Sequence, residues 1–324
     1  MTLISTPATW LAGYIPDIPT PFDEHGAMDL AALAMLCERQ IEAGVSAIVV
    51  SETCGEASTL TPAEKESIVR AAVKVARGRV RVVAGANSTS HAIELTRRAE
   101  SAGADAVLSV VPYYNKPMQA GIQAHFRAIA ISTALPIILH DVPSRTMREL
   151  SDDTLLLLAN SGHFIALTDA TGDIARLCRL RPLLPTGFRL LSGDDSTALP
   201  FIANGGDGCV SIVSNVAPEL CRAVFSNCRL ARPQSARYLH ERLLPLTTCL
   251  TKESPAALKY ALFLLGFMSP ATRLPIAELS DDAKAEVASA IAEIGDEDIA
   301  CPVEHRHGPR LHEDAVTPSQ ARRG

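Results

Sequence analysis

Short apolar segments alternate with longer amphipathic segments along most of the chain. Each short segment has the length of a strand and is rich in valine, isoleucine or leucine. Unbroken apolar runs of this kind are typical of strands that are buried on both faces. We therefore predict eight buried strands. They comprise residues 13–18, 47–51, 81–84, 106–110, 136–140, 164–168, 189–192 and 209–212.

Between these runs, apolar residues recur at intervals of three and four, which predicts helices. Residues 30–43 follow Asp29, a candidate N-cap. Residues 61–76 begin with Thr61-Pro62-Ala63-Glu64, which has the pattern of a capping box with proline in the first helical position. Further helices are predicted over residues 88–102, 119–132, 151–159, 172–183, 196–203, 218–227, 234–250, 255–265 and 281–294.

A strand followed by a helix, repeated about eight times, predicts an α/β fold of the TIM-barrel type, (β/α)8, with a C-terminal helical extension. The alternative is an open, doubly wound sheet. Such a sheet usually has a glycine-rich turn after its first strand, and residues 16–22 contain no glycine. We therefore predict a barrel over residues 1–228, a helical region packed on it over 229–294, and a disordered polar tail over 295–324.

Composition narrows the class of protein. Apolar residues make up 47% of the 324 residues, and the net charge is −6, which argues against a nucleic-acid-binding protein. No apolar run reaches the length of about 18 residues expected of a membrane span, and the first ten residues do not resemble a signal peptide. The eight cysteines form no C-x-x-C pair, which favours reduced thiols in a cytoplasmic protein.

The ends of the predicted strands carry the candidate chemistry, because a TIM barrel builds its active site there. Hydroxyl groups of Thr53, Tyr114 and Thr168 meet the guanidinium of Arg145 at this end. Arginine can bind a carboxylate through two parallel hydrogen bonds, so the set suggests a pocket for a small keto or hydroxy acid. Taken singly, Arg145 fits a surface ion pair equally well, and Tyr114 fits aromatic packing at a subunit contact.

Four motifs resemble those of the dihydrodipicolinate synthase / N-acetylneuraminate lyase superfamily. The segment beginning at Thr53, T-C-G-E, is similar to T-T-G-E of the family, and residues 113–117 match its Y-Y-N-[KR]-P. Residues 142–146 read V-P-S-R-T, and residues 191–195 read L-S-G-D-D, as in the family. The resemblance extends over about residues 13–294, and the V-P-S-R-T arginine favours the dihydrodipicolinate synthase branch.

The resemblance implies a lyase that condenses pyruvate with a lysine to form a Schiff base, without a cofactor or metal. That lysine is expected in a motif like G-I-K-E-A-T-G, where this chain has Thr168. A hydroxyl cannot form an imine, so the standard mechanism cannot operate as written. At the same mouth, His140 replaces the proton-relaying tyrosine, Cys54 replaces a threonine that contacts the pyruvate carboxylate, and Glu52 replaces a glycine.

Other implied positions are retained. By resemblance, Thr53 belongs to the catalytic set, and Tyr114 crosses a dimer interface into the neighbouring site. Arg145 and the backbone at Gly193 and Val210 contact a pyruvate-like 2-keto acid. The resemblance also implies a homodimer or a homotetramer.

Two hypotheses follow. The first is an enzyme of this family with altered carbon–carbon chemistry on a 2-keto acid. The second is a catalytically inactive relative that serves as a keto-acid-binding or regulatory subunit. Within the first hypothesis, Lys116 is the one lysine clearly in a mouth loop and is the candidate to take over imine formation. A metal-dependent aldolase would instead draw on side chains at the same strand ends, namely His140, Asp141, Asp169, Asp194 and Asp195.

Overall fold

Eight parallel strands form one sheet that closes into a barrel. The structure, a computed structural model, describes residues 8–86 and 89–295. Neighbouring strands pair in the order β1-β8-β7-β6-β5-β4-β3-β2, and a parallel bridge between Asp17 and Val49 joins the two ends. The strands are β1 Gly13–Pro16, β2 Ala47–Val50, β3 Arg81–Ala86, β4 Ala106–Val110, β5 Ile137–Asp141, β6 Phe164–Asp169, β7 Arg189–Ser192 and β8 Gly208–Ser211.

The TIM barrel is therefore confirmed, and the open, doubly wound sheet is wrong. Each predicted strand is present with shifts of only a few residues at its ends. Helices follow the strands in alternation, as predicted. They are α1 Leu30–Glu42, α2 Pro62–Ala76, α3 Thr89–Ser101, α4 Gln119–Ala130, α5 Pro143–Thr146, α6 Asp152–Ala159, α7 Ile174–Leu180, α8 Ala198–Ala203, α9 Pro218–Arg229, α10 Pro233–Lys252, α11 Ala256–Leu264 and α12 Asp281–Ile294.

Two helix starts follow the predicted capping chemistry. The carboxylate of Asp29 accepts hydrogen bonds from the backbone N–H groups of Ala31 and Ala32. Thr61 and Glu64 form the reciprocal hydrogen bonds of a capping box at the start of α2. Both contacts satisfy N–H groups that the first turn of a helix leaves without partners, so each fixes where its helix begins.

The C-terminal helices pack on the barrel and reach its mouth. Helix α10 lies against α9 and α12. The fully buried ammonium of Lys259 on α11 contacts the carboxylate of Glu56, which follows β2, and donates a hydrogen bond of 2.9 Å to the carbonyl of Ala271. These contacts hold the loop after β2 in place.

The domain boundary at residue 228 stays a prediction. Apart from Gly295, the predicted disordered tail lies outside the described residues. Within residues 8–86 and 89–295, the structure contains no helix that combines the length and the apolar character needed to cross a membrane.

Candidate active site

A cavity of about 320 Å³ opens at the carboxyl ends of the strands. Residues at or just beyond the carboxyl ends of six strands border it, namely β1, β2, β5, β6, β7 and β8, together with Leu108 of β4 and Thr251 of α10. Six residues predicted from the sequence lie in its wall, namely Thr53, His140, Arg145, Thr168, Gly193 and Val210. The barrel thus brings together residues that are far apart in the sequence: Thr53 and Val210 are separated by 157 positions.

Two predicted residues do not border this cavity. The side chain of Cys54 is fully buried, and its backbone N–H donates a hydrogen bond of 2.8 Å to Oδ2 of Asp17. Burial, and then the nearby Asp17 carboxylate, raise the pKa of the Cys54 thiol well above its ordinary value. The thiol therefore stays protonated, and the structure gives no support to Cys54 as a side-chain contact to substrate.

Tyr114 points away from the cavity of its own chain. Its side chain is 91% exposed, and its backbone φ of 70° is in the left-handed region. Tyr113 is 46% exposed and borders a second cavity next to the first, where Arg145 also lies. The Tyr114 ring therefore does not border either cavity of its own chain.

A buried pair of opposite charges crosses the barrel mouth. Nδ1 of His140, at the end of β5, lies 3.3 Å from Oε1 of Glu52, which follows β2. Strands β3 and β4 separate β2 from β5, so the contact spans the opening instead of joining neighbours. Oε2 of Glu52 also accepts hydrogen bonds from the backbone N–H and the hydroxyl of Thr53.

The pair determines the charge of both members. Burial lowers the pKa of His140, but the carboxylates of Glu52, Asp17 and Asp141 together raise it by more, with Glu52 acting most strongly, so the net value is above the ordinary one. Burial alone raises the pKa of Glu52, and the His140 imidazolium with the Thr53 donors lowers it by more. A protonated imidazole facing an ionised carboxylate is therefore favoured over the neutral pair up to a higher pH than for an ordinary histidine.

The backbone around Glu52 explains its position. Ser51 has a φ of 58°, a left-handed conformation that turns the chain directly after β2. A Cβ atom at Gly85 would lie only 2.3 Å from the carbonyl oxygen of Ser51, so only glycine allows β3 to approach this turn. The turn and the close approach together direct Glu52 towards the barrel axis.

Asp17 is a member of the site that the sequence analysis missed. It follows β1, borders the cavity and is 5% exposed. Its Oδ2 accepts the Cys54 hydrogen bond, whereas its Oδ1 has no partner among the described residues. Burial, followed by the neighbouring charge of Glu52, raises its pKa to about 7. The signal in the sequence was an acidic residue inside the apolar run over residues 13–18.

Thr168 lies beside His140, its register partner on the adjacent strand. Its side chain is fully buried, and its hydroxyl has no hydrogen-bond partner among the described residues. Gly193 packs against it closely: a Cβ atom there would lie 3.1 Å from Cγ2 of Thr168 and 2.9 Å from the Ala170 side chain. The absence of a side chain at Gly193 therefore leaves room for the residues at the end of β6.

Arg145 is the cation of the cavity wall. It lies on the short helix α5, which starts at Pro143 and was not predicted as a helix. Its side chain is exposed, borders both cavities, and forms no ion pair within the described part of the chain. Its guanidinium thus has the hydrogen-bonding capacity to bind a carboxylate from solution.

The carboxylates considered for a metal have other roles. Asp141 and Asp169 turn to the outside of the barrel and pair with Arg176, at 2.8 Å and 3.3 Å. Asp195 accepts hydrogen bonds from the Ser211 hydroxyl and from two backbone N–H groups. In the described ranges, no three histidine, cysteine or acidic side chains are grouped to hold a metal ion. The geometry therefore does not support a metal-dependent aldolase.

None of the residues that border the two cavities is a lysine. Lys116 is exposed in the loop of Tyr114. The buried Lys259 is committed to Glu56, although burial lowers its pKa to about 8. Residues 8–86 and 89–295 thus place no lysine amine in the lining of either cavity for imine formation.

Comparison with known proteins agrees with this architecture. The model of the dihydrodipicolinate synthetase family matches residues 10–294. The chain belongs to this family. It is 45% identical over 288 residues to the 4-hydroxy-tetrahydrodipicolinate synthase of Laribacter hongkongensis. The matched region covers 87% of this chain and 98% of that protein. The family suggested by the sequence motifs is therefore confirmed.

Solved structures of family members have the same fold. The dihydrodipicolinate synthase of Aquifex aeolicus superimposes with a TM-score of 0.84 at 37% identity, over 87% of this chain and 97% of that one. The chloride-inhibited enzyme of Acinetobacter baumannii, in complex with pyruvate, gives a TM-score of 0.85 at 37% identity, over 88% of this chain and 99% of that one.

Proposed function

We propose that the protein binds pyruvate or a related 2-keto acid non-covalently in the barrel mouth and acts on it as an altered member of the family. The observation that carries this proposal is Arg145, whose guanidinium borders the cavity without an ion-pair partner in the described residues. The pyruvate complex of the Acinetobacter baumannii relative supports the ligand class. The chemistry is of the 4-hydroxy-tetrahydrodipicolinate synthase type, a lyase, but without a lysine imine.

The departure from the family mechanism rests on Thr168. By resemblance to the family motif it occupies the position of the Schiff-base lysine, and the cavity lining formed by the described residues contains no lysine. We infer that the carboxylate of the substrate is recognised as in the family, whereas its carbonyl carbon is not attacked by the protein. A keto acid that binds without any turnover would favour the regulatory alternative.

Calorimetry with pyruvate tests recognition. We expect Arg145→Ala to weaken binding by about tenfold to a hundredfold, since a hydrogen-bonded charge pair contributes about 1.5–3 kcal/mol. Arg148→Ala is the matched control, because Arg148 is an exposed arginine three residues away that borders neither cavity. Equal binding by wild type and Arg145→Ala would remove Arg145 from the site.

Borohydride reduction in the presence of pyruvate tests the missing imine. A Schiff base would be reduced to a stable pyruvyl adduct, which peptide mass analysis assigns to one lysine. We expect no adduct on the wild-type protein. An adduct on any lysine, including Lys116 or Lys259, would restore the family mechanism and contradict the proposal.

We further infer that two chains associate through the rim of the mouth. Tyr114, Tyr113 and Met118 on that rim are exposed to 91%, 46% and 83%. Exposed aromatic and methionine side chains grouped in this way are typical of interface cores. A homodimer, alone or paired into a homotetramer, would bring the Tyr114 hydroxyl towards the cavity of the neighbouring chain.

The cysteines support a cytoplasmic location. The seven in the described ranges are all free thiols, and five of them are buried in the core. Core thiols without disulfides are ordinary in a reducing compartment.

A further inference from the structure

The two ring nitrogens of His140 have different surroundings. Nδ1 faces the Glu52 carboxylate at 3.3 Å. Nε2 forms no hydrogen bond in the described part of the chain, and the ring borders the cavity. A carboxylate on Nδ1 holds the hydrogen of a neutral imidazole on that nitrogen and leaves the lone pair on Nε2. This is the arrangement of a general base that a second group orients.

Glu52 is itself fixed in place. Its Oε2 is occupied by the two donors of Thr53, so Oε1 remains for His140. The left-handed turn at Ser51 and its close contact with Gly85 hold the backbone. Glu52 therefore acts as a positioning residue that sets the orientation of the imidazole and its pKa.

The cavity presents a cation and this base to the same ligand. Arg145 lies in the wall with His140, which is part of β5, and Arg145 follows that strand. A 2-keto acid held through its carboxylate at Arg145 would extend its carbonyl and C3 into the cavity. Next to His140, the hydroxyl of Thr168 has no hydrogen-bond partner among the described residues. It is the donor available to a carbonyl oxygen on which negative charge develops.

We propose that the Glu52–His140 pair catalyses imine-independent enolisation of a bound 2-keto acid. Nε2 of neutral His140 takes a proton from C3, and the electrons of that C–H bond form the C2=C3 double bond. The π electrons of the C2 carbonyl move to its oxygen, which gives the enolate. The imidazolium then returns a solvent-derived proton to C3. Nothing is oxidised or reduced. The proposal rests on the binding mode proposed above.

Exchange of the pyruvate methyl protons for deuterium measures this step directly. In D₂O, proton NMR follows the loss of the methyl signal, and we expect the wild-type protein to accelerate it over protein-free buffer. His140→Phe should lower the accelerated rate by about a hundredfold or more, the usual contribution of a general base. His163→Asn is the matched control, because His163 precedes β6 at the opposite end of the barrel and should leave the rate unchanged.

The pH dependence separates a base from a merely structural histidine. Charged groups that act on His140 are Glu52 from the loop after β2, Asp17 from β1 and Asp141 on its own strand. The exchange rate should rise with pH, with a midpoint above the ordinary histidine value of about 6.5, because only the neutral imidazole accepts a proton. Glu52→Gln removes the nearest carboxylate and should move the midpoint down.

Two further measurements make every outcome decisive. If calorimetry shows pyruvate binding but exchange equals that in buffer, the enolisation proposal is overturned and the proposed function stands. If His140→Phe binds pyruvate and exchanges it at the wild-type rate, His140 is not the base. A borohydride-trapped adduct would assign the exchange to an imine and overturn both proposals. Absence of pyruvate binding to wild type would also overturn both.

Discussion

Two clusters of buried charge lie on opposite sides of the same two strands. His140 and Thr168 face the inside of the barrel, whereas the next residues, Asp141 and Asp169, face the outside. Successive side chains of a strand point to opposite faces, so one short stretch of sequence serves both clusters. We call them the inner cluster (Asp17, Glu52, His140 and Thr168) and the outer cluster (Asp141, Asp152, Asp169 and Arg176).

The outer cluster has its own buried cation, although Oδ1 of Asp141 has no hydrogen-bond partner among the described residues. Arg176 is 1% exposed and contacts three carboxylates, those of Asp141, Asp152 and Asp169, together with the carbonyl of Leu150. The inner cluster has one ion pair, and the Oδ1 atom of Asp17 and the hydroxyl of Thr168 remain without partners in the described residues. Buried charge that is neutralised by its own cation away from a cavity stabilises a fold, whereas buried polar atoms without partners beside a cavity indicate a ligand.

The largest effect is expected in the outer cluster. Arg176→Met leaves the buried carboxylates of Asp141 and Asp169 without their cation, and we expect a loss of about 3–5 kcal/mol in the free energy of unfolding. Urea denaturation measures it. Arg179→Met is the control, since Arg179 is an exposed arginine of the same helix and its loss should change the free energy of unfolding far less. Equal losses in the two variants would show that the outer cluster is not structural.

The barrel could be predicted from the sequence because the patterns that indicate its strands and helix ends each involve only a few consecutive residues. A strand such as 106–110 or 189–192 is an apolar run, and the caps at Asp29 and Thr61 are patterns of four residues or fewer. The motifs also identified Thr53, His140, Arg145 and Thr168 as mouth residues. Their mutual contacts are not local, however, since Glu52 and His140 are 88 positions apart.

The misses have physical reasons. Asp17 was hidden because a buried segment tolerates an ionisable residue only where the fold supplies a partner, and here the partner is the backbone N–H of the distant Cys54. Cys54 was predicted to contact substrate from its motif position, but that position presents its backbone N–H to Asp17 and buries the thiol. The role of Asp141 and Asp169 in the outer cluster could not be predicted, because it depends on Arg176, which belongs to none of the motifs.

The next largest effect is expected at Tyr113 and Tyr114, on the rim of the barrel mouth. We expect the wild type to form a dimer at micromolar concentration, and Tyr113→Ala/Tyr114→Ala to shift it towards monomer. Buried aromatic residues at interface centres contribute about 2 kcal/mol or more each. Multi-angle light scattering measures the mass, with Tyr238→Ala as the control, because Tyr238 is exposed on α10. A wild-type mass near the 34.5 kDa of one chain would falsify the dimer.

Asp17 allows a test of the inner cluster by pH. Its pKa of about 7 in the folded protein is raised from an ordinary value near 3.8, mainly by burial. Because the folded state holds the proton more tightly, ionisation of Asp17 makes the wild type progressively less stable as pH rises from about 4 to 7. Asp17→Asn removes this penalty.

We therefore expect Asp17→Asn to be more stable than wild type at pH 8, by on the order of 1–3 kcal/mol. The difference should shrink as the pH falls towards 4. Urea denaturation across this range measures it, with the exposed Asp153→Asn as the control. A stability difference that does not vary with pH would mean that Asp17 already has a partner, and the inner cluster would then resemble the outer one.

The smallest effect is expected from restoring the lysine at position 168, although the family mechanism would suggest that this change has the largest effect. Thr168→Lys restores an amine at the end of β6, yet we expect almost no Schiff base and little synthase turnover. Imine formation requires a neutral amine, and the carboxylates of Asp17 and Glu52 border the same cavity and favour the ammonium form. Borohydride trapping with pyruvate at pH 7 measures the adduct.

The control is Thr168→Lys combined with Asp17→Ala, Glu52→Gly and His140→Tyr, which removes those carboxylates and returns the phenol of the family motif. We expect a larger adduct yield from this combination. Full adduct formation by Thr168→Lys alone would mean that the loss of the lysine is the decisive difference from the family. Asp17, Glu52 and His140 would then not prevent imine formation.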